Sequence, residues 1–257
     1  MTELEERAAG ILLQLERRGS KRNRDGMARY GLTAEKVFGV SVARLHDIAR
    51  RVGKNHALAL LLWESGWYEA RMLAALIDEP SRVTVRQMDR WARDFENWGI
   101  CDTCCMHLFD RTPHAWGRAE AWSRRKAEFV KRAGFALVAS LARHDKEAGD
   151  EPFLRALAWI EREAHDDRNF VKKAVNWALR AIAERNTRLN RAALAVARRL
   201  AARPEAPSRW IGTDALRQLR TPASRARLAR TTKPRLRAMS ERRVKARATP
   251  RAASKHR

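Results

Sequence analysis

From Glu3 to about residue 202, apolar side chains recur at three- and four-residue intervals and nowhere settle into the strict alternation of a strand. That pattern commits the chain to helices. Amphipathic stretches are expected at about residues 3–18, 41–52, 55–65, 67–78, 84–95, 98–110, 125–143, 152–164, 169–185 and 188–202. The breaks between them carry helix punctuation: Asp78-Glu79-Pro80-Ser81, Thr112-Pro113, Gly149-Asp150-Glu151-Pro152 and Arg203-Pro204. No Asn-Gly hairpin intervenes. An all-α fold follows.

Consecutive antiparallel helices with short turns either close into a bundle or stack into a solenoid. Helix pairs recurring at about 35–45 residues favour a HEAT-like helical-repeat solenoid, an α-α superhelix whose concave face is a long, shallow groove. Charge says what such a groove is for. The 257 residues carry 54 Lys+Arg against 30 Asp+Glu, a net +24, so the groove is expected to be basic and its partner a polyanion. Nucleic acid leads and an anionic membrane surface comes second. The densest apolar run, Leu58 to Trp63, is too short for a membrane span, so no membrane partner is expected. The acidic, helical N-terminus is unlike a secretory signal, and three clustered cysteines make no disulfide framework. Both point to a reducing, cytoplasmic, nucleoid-associated setting.

Charge also suggests a boundary. From Ala206 onward there are 16 Lys+Arg and 2 acids among Pro, Ser and Thr, with few large apolar residues. The expectation is a folded domain over 1–205 and a basic, disordered tail over 206–257.

The segment WGICDTCC, residues 98–105, holds an indole, a carboxylate and all three cysteines. Zinc thiolate sites draw ligands from two separated knuckles, and this chain has no second one. On a helix, Ile100, Cys101, Cys104 and Leu108 form one core stripe, so the cysteines are expected to pack rather than bind metal. Trp98 and Asp102, at i and i+4, share a different face. Spacing alone allows two readings: a surface tryptophan beside an ordinary aspartate, or a ligand-facing pair. Trp177 is similar, with Lys173 and Arg180 on its polar face, the arrangement of an aromatic contact ringed by backbone-gripping cations. Its alternative is an indole capping the core edge. Arg132 opens an apolar run without further charge until Arg143, as a guanidinium held by packing and aimed at a fixed anion would, or as a snorkelling arginine would.

Five separated pieces, in this order, resemble the AlkD-like family of DNA alkylation repair glycosylases, which are built from HEAT-like repeats. They are DGMARYGLT with Tyr30, KVFGVSVARL, W-G-I-C-D with Trp98 and Asp102, KRAGFAL with Arg132, and KKAVNWALR with Trp177 and Arg180. The resemblance spans about residues 20 to 190. It implies a lesion-facing site of Trp98, Asp102 and Trp177 with Arg132 beside them, and a DNA-backbone hold involving Tyr30 and Arg180; Lys173, read above from the polar face around Trp177, is expected to join that hold. The chain departs from the family's pattern at Ala43 and His46, where a Pro and an Arg are often found.

The implied activity is monofunctional hydrolysis of the N-glycosidic bond of cationic alkylated purines, of the 7-methylguanine and 3-methyladenine type, in duplex DNA. A cationic base leaves as a neutral molecule, so no general acid is needed. Asp102 would stabilise the oxocarbenium-like sugar and position water, and the indoles would face the cationic nucleotide at about 0.5–2 kcal/mol each. The expected partner is double-stranded DNA containing alkylated bases, bound by a monomer with no cofactor and no metal. The alternative is a non-catalytic HEAT-like protein for damaged or branched DNA.

Overall fold

The computed structural model describes residues 1–231, and no strand occurs among them. The helices are α1 (Glu3–Arg17), α2 (Lys21–Met27), α3 (Val42–Val52), α4 (His56–Glu64), α5 (Tyr68–Ile77), α6 (Val85–Arg93) and α7 (Trp98–His107). They continue with α8 (Ala115–Ser123), α9 (Glu128–His144), α10 (Glu151–Glu163), α11 (Asn169–Ala183), α12 (Thr187–Ala201) and α13 (Ala206–Leu219). Every stretch expected from periodicity is helical. Two short helices escape that reading: α2, which buries nothing, and α8, whose buried face of Ala115, Ala119, Trp122 and Ser123 holds one large apolar side chain.

The helices stack in two layers. One contains α3, α5, α7, α9, α11 and α13, each packed on the next, and the other contains α4, α8, α10 and α12 behind them. From α5 on, members of the first layer start at Tyr68, Trp98, Glu128, Asn169 and Ala206, intervals of 30, 30, 41 and 37 residues. The longest interval holds the segment 145–150 between α9 and α10. Neighbours run parallel: Cys101 and Cys105 of α7 donate to the carbonyls of Phe129 and Ala133 in α9. Near the ends of α9 and α11, Arg132 reaches the Phe170 carbonyl and Arg185 reaches that of Ala142. This is the solenoid the periodicity predicts.

Between the layers runs a continuous core. Trp63 stacks on Trp91 with ring centres 3.9 Å apart, and Phe109 bridges onward from Trp91 to Trp122. Ile100, Cys101, Cys104 and Leu108 are all fully buried, so the core stripe read on α7 is correct and the cysteines belong to it. Burial pushes the Cys104 and Cys105 thiols well up, which keeps them protonated and unreactive.

The expected boundary at 205 is corrected by the structure. Residues 206–219 form α13, which packs on α11 and α12 and buries Ile211, Ala215 and Leu219 at four-residue spacing. Gly212 shows how close that packing is: a Cβ there would stand 2.3 Å from the Ala201 nitrogen. Residues 222–231 are helical too, and Ser224 and Arg227 bond Glu184 just beyond α11. Composition misled because the few apolar residues here, Ile211, Ala215 and Leu219, fall on one face that α11 and α12 cover. The remainder of the expected tail, 232–257, lies outside the described residues.

Candidate functional site

The motif pieces scattered through the sequence meet in space. Asn97 caps α7, accepting from the Ile100 amide at 3.1 Å and donating to the Thr33 carbonyl at 3.0 Å. Next to it, the Trp98 indole donates to the Tyr30 carbonyl at 2.9 Å. The ARYGLT segment is thus pinned to the amino end of α7. Gly31 sits in this segment at φ +66° with its Cα against Phe170 of α11, and an added Cβ would lie 3.0 Å from that ring. Glycine suits both the left-handed backbone and the close approach.

Phe170 closes the circuit. Its ring lies 5.4 Å from that of Phe129, and its carbonyl accepts Arg132 Nη1 at 2.7 Å. The other nitrogens of Arg132 grip Asp102 in a two-point fork, Nε to Oδ1 at 2.9 Å and Nη2 to Oδ2 at 2.7 Å. The fixed anion expected for Arg132 is therefore inside the protein. Arg132 is buried and Asp102 keeps 17% of its side-chain surface open. Burial raises the pKa of Asp102, opposed by the Arg132 charge and its hydrogen bonds. Burial lowers the pKa of Arg132, but the Asp102 carboxylate outweighs it and the net shift is upward. The chemical content is an aspartate held in one orientation, with one open edge, by a cation that does not itself face outward.

Lys131, beside Arg132, turns to the other side of α9. It forms buried pairs with Glu163 at 2.6 Å and Asp166 at 3.1 Å, and Arg168 bonds the same Asp166. These partners hold Asp166 down at about 2, although burial alone would raise it. Sequence reading missed this network. Its signal was the doubled cation opening an apolar helix, of which only Arg132 was followed.

A second buried acid was also missed. Glu69 accepts the amides of Phe38, Gly39 and Val40 at 2.9, 2.6 and 3.0 Å and so folds the FGV loop onto α5. Lys21, Arg22, Asp25, Arg29 and Tyr30, with Gly39 and Val40 of that loop and Tyr68, line an open hollow of about 790 Å³. Burial, then the Glu69 charge, pushes the Tyr68 phenol up to about 12.

The remaining expected residues are placed unequally. Tyr30 exposes its phenol to solvent, 73% open, while its carbonyl anchors Trp98. Trp177 is half-buried against the core on α11, two turns beyond Phe170 or ~10.5 Å along the axis. Among the described residues no ring contact or hydrogen bond joins it to Trp98 or Asp102. Lys173 is exposed on the same helix. Arg180 is turned partly inward, its Nε donating to Asn176 at 2.8 Å, and burial lowers its pKa. Asp102 and Arg132 thus form one bonded pair, Trp98 on the same helix as Asp102 is tied to Tyr30, and Lys173, Trp177 and Arg180 lie on α11.

Residues 11–233 match the family model for "DNA alkylation repair enzyme". The chain belongs to the DNA alkylation repair enzyme family. Among solved structures, one comes from "a new family of proteins related to the HEAT-like repeat DNA glycosylases with affinity for branched DNA structures". It superposes with a TM-score of 0.66 over 82% of this chain and 94% of its own, at 22% sequence identity, a likeness that shows the shared HEAT-like fold. A comparison with proteins of curated function gives no match.

Proposed function

We propose that this protein is a monofunctional alkylpurine DNA glycosylase acting on duplex DNA at Asp102. One observation carries the reading: a carboxylate on the first layer, locked by a buried two-point arginine and left with one open edge beside an indole. An isolated buried aspartate would take up a proton and lose its charge; Arg132 opposes that protonation.

The chemistry follows from that charge. In a purine alkylated on a ring nitrogen, the C1′–N bond breaks with its electron pair going to the base, which departs neutral. Positive charge develops on the sugar, where a pre-oriented carboxylate stabilises it without reorganisation. Water adds to C1′ as Asp102 accepts its proton. Trp98, its edge tied to the Tyr30 carbonyl, presents a ring face to the cationic nucleotide. Arg132 is a positioning residue: it touches Asp102 and the backbone, not the substrate.

A second reading has its own support. Both Asp102 oxygens already accept from Arg132, which reduces the charge available to a sugar cation. A non-catalytic binder of damaged or branched DNA would tolerate that neutralisation. The deciding experiment measures release of 7-methylguanine from methylated duplex by wild type and Asp102→Asn. Release by wild type and its loss in the variant, with duplex binding intact, supports the glycosylase. No release by wild type, with a preference for four-way junctions over linear duplex, supports the binder.

A further inference from the structure

The last helices of the stack leave an apolar hollow of about 220 Å³ on their outer side. Arg199 of α12 reaches back to Glu161 of α10 in a two-point fork. Leu194 lies about 140° round α12 from it, on the side turned away from the stack. There it meets Leu216 and Leu219 of α13 and Leu228 of the helical segment 222–231. Leu194, Leu216 and Leu228 are half-buried. Terminal repeats of solenoids turn polar outer faces to water, so leucines converging here from three helices call for a cover.

The rim says what kind. Arg198, Arg220 and Arg225 line the same hollow and are exposed. Among the described residues none of the three makes a side-chain hydrogen bond or an ion pair. Their neighbours are committed: Arg199 to Glu161, Arg217 to Asp214 and Arg227 to Glu184. Asn190 and Ser224 complete the lining, and they donate to the Ala183 carbonyl and to Glu184. Among the described residues no carboxylate lines the hollow.

We propose that this end of the solenoid docks an acidic segment of a partner protein, one that carries a bulky apolar side chain beside its carboxylates. The apolar side chain fills the leucine hollow, and the carboxylates accept from the three arginines in the fork geometry that suits them. An apolar anchor inside a charged rim is the usual anatomy of a protein interface. Charge argues against the occupants nearest to hand. Residues 232–257 carry ten Lys+Arg against one acid, and a second copy brings a net +24 and the same arginines. A nucleic-acid strand matches the arginines but offers the leucines no aliphatic side chain. The hollow lies on α12 and α13, away from Asp102 on α7, so neither base release nor duplex binding enters the inference.

The test follows fluorescence anisotropy of labelled peptides with the full chain. The peptide DDDDSLF should bind saturably. DDDDSSS, without the apolar anchor, and KKKKSLF, with reversed charge, should each bind at least about tenfold more weakly. Arg220→Glu and Arg225→Glu, both at exposed positions, should each weaken DDDDSLF about three- to tenfold. Leu194→Ala should weaken it about five- to thirtyfold. Arg86→Glu, an equal change of net charge on α6, should leave it within about twofold. Equal binding of DDDDSLF and DDDDSSS would overturn the proposal by reducing the hollow to a patch of charge. So would wild-type affinity in both arginine variants, or no saturation of wild type below about 1 mM. A short single-stranded oligonucleotide that displaces DDDDSLF, and that itself binds Leu194→Ala less well, would make nucleic acid the occupant instead. Sedimentation of the free chain covers the last case: a dimer that Arg220→Glu dissociates would make a second copy the occupant and sink the proposal.

Discussion

Asp102→Asn keeps the shape of the side chain and removes its charge, leaving Arg132 buried with the Phe170 carbonyl and one amide oxygen. Breaking a buried pair from one side costs about 3–5 kcal/mol. The lost part here is two charge-assisted hydrogen bonds, partly replaced by the amide, and Asp102 is 17% open to water, so about 2–4 kcal/mol is expected. For a domain of this size that lowers Tm by about 4–16 °C. Arg132→Met should be comparably harmful, because it strands the carboxylate. The double variant should recover much of the loss, since replacing both partners of a buried pair is often neutral. Calorimetric melts of the four proteins close the cycle, with a coupling of about 1–3 kcal/mol expected. A single-variant Tm within a degree of wild type, or strictly additive losses, would refute the claim that this pair is formed and buried. The same melts set the temperature at which base release by Asp102→Asn is a fair test of chemistry.

In base release as a function of pH, the acid limb should lie above the ordinary aspartate range, because burial raises the Asp102 pKa, and Arg132→Met should move it higher still. The sign for stability runs opposite: this group favours the folded state in acid, and its contribution is lost as pH rises through the folded value. Truncation after residue 205 should unfold or severely destabilise the protein by uncovering α11 and α12, whereas truncation after 231, which removes ten Lys+Arg and one acid, should weaken salt-sensitive DNA binding. Gly212→Ala should cost about 1–3 kcal/mol in a denaturant titration, an effect a disordered segment would not show. Glu69→Gln should cost about 1–3 kcal/mol and speed hydrogen exchange at Gly39 and Val40, whose amides it leaves poorly paired.

The fold was legible because a helix writes its buried face into the chain locally. Ile100, Cys101, Cys104 and Leu108 needed no partner to be recognised as one stripe, and all four are buried. Helices with weak stripes, α2 and α8, left no such mark. The site was legible only as residue types. That Trp98 and Asp102 lie off the core face follows from a hundred degrees per residue. That the anion for Arg132 would be Asp102, thirty residues away, depends on how α7 and α9 stack. The carboxyl edge of the domain was misjudged because Ile211 and Leu219 read as isolated apolar residues until α12 supplies the surface they cover.

Sequence by itself determined the helices other than α2, α8 and α13, the polyanion-seeking charge and which side chains were unusual, since periodicity and composition are properties of the chain alone. Tertiary structure decided which of those side chains meet. The Asp102 fork, the Glu69 clamp on the FGV loop and the leucine hollow beside α12 each join helices or loops separated by tens of residues. Their distances depend on layer packing, and no local pattern encodes that.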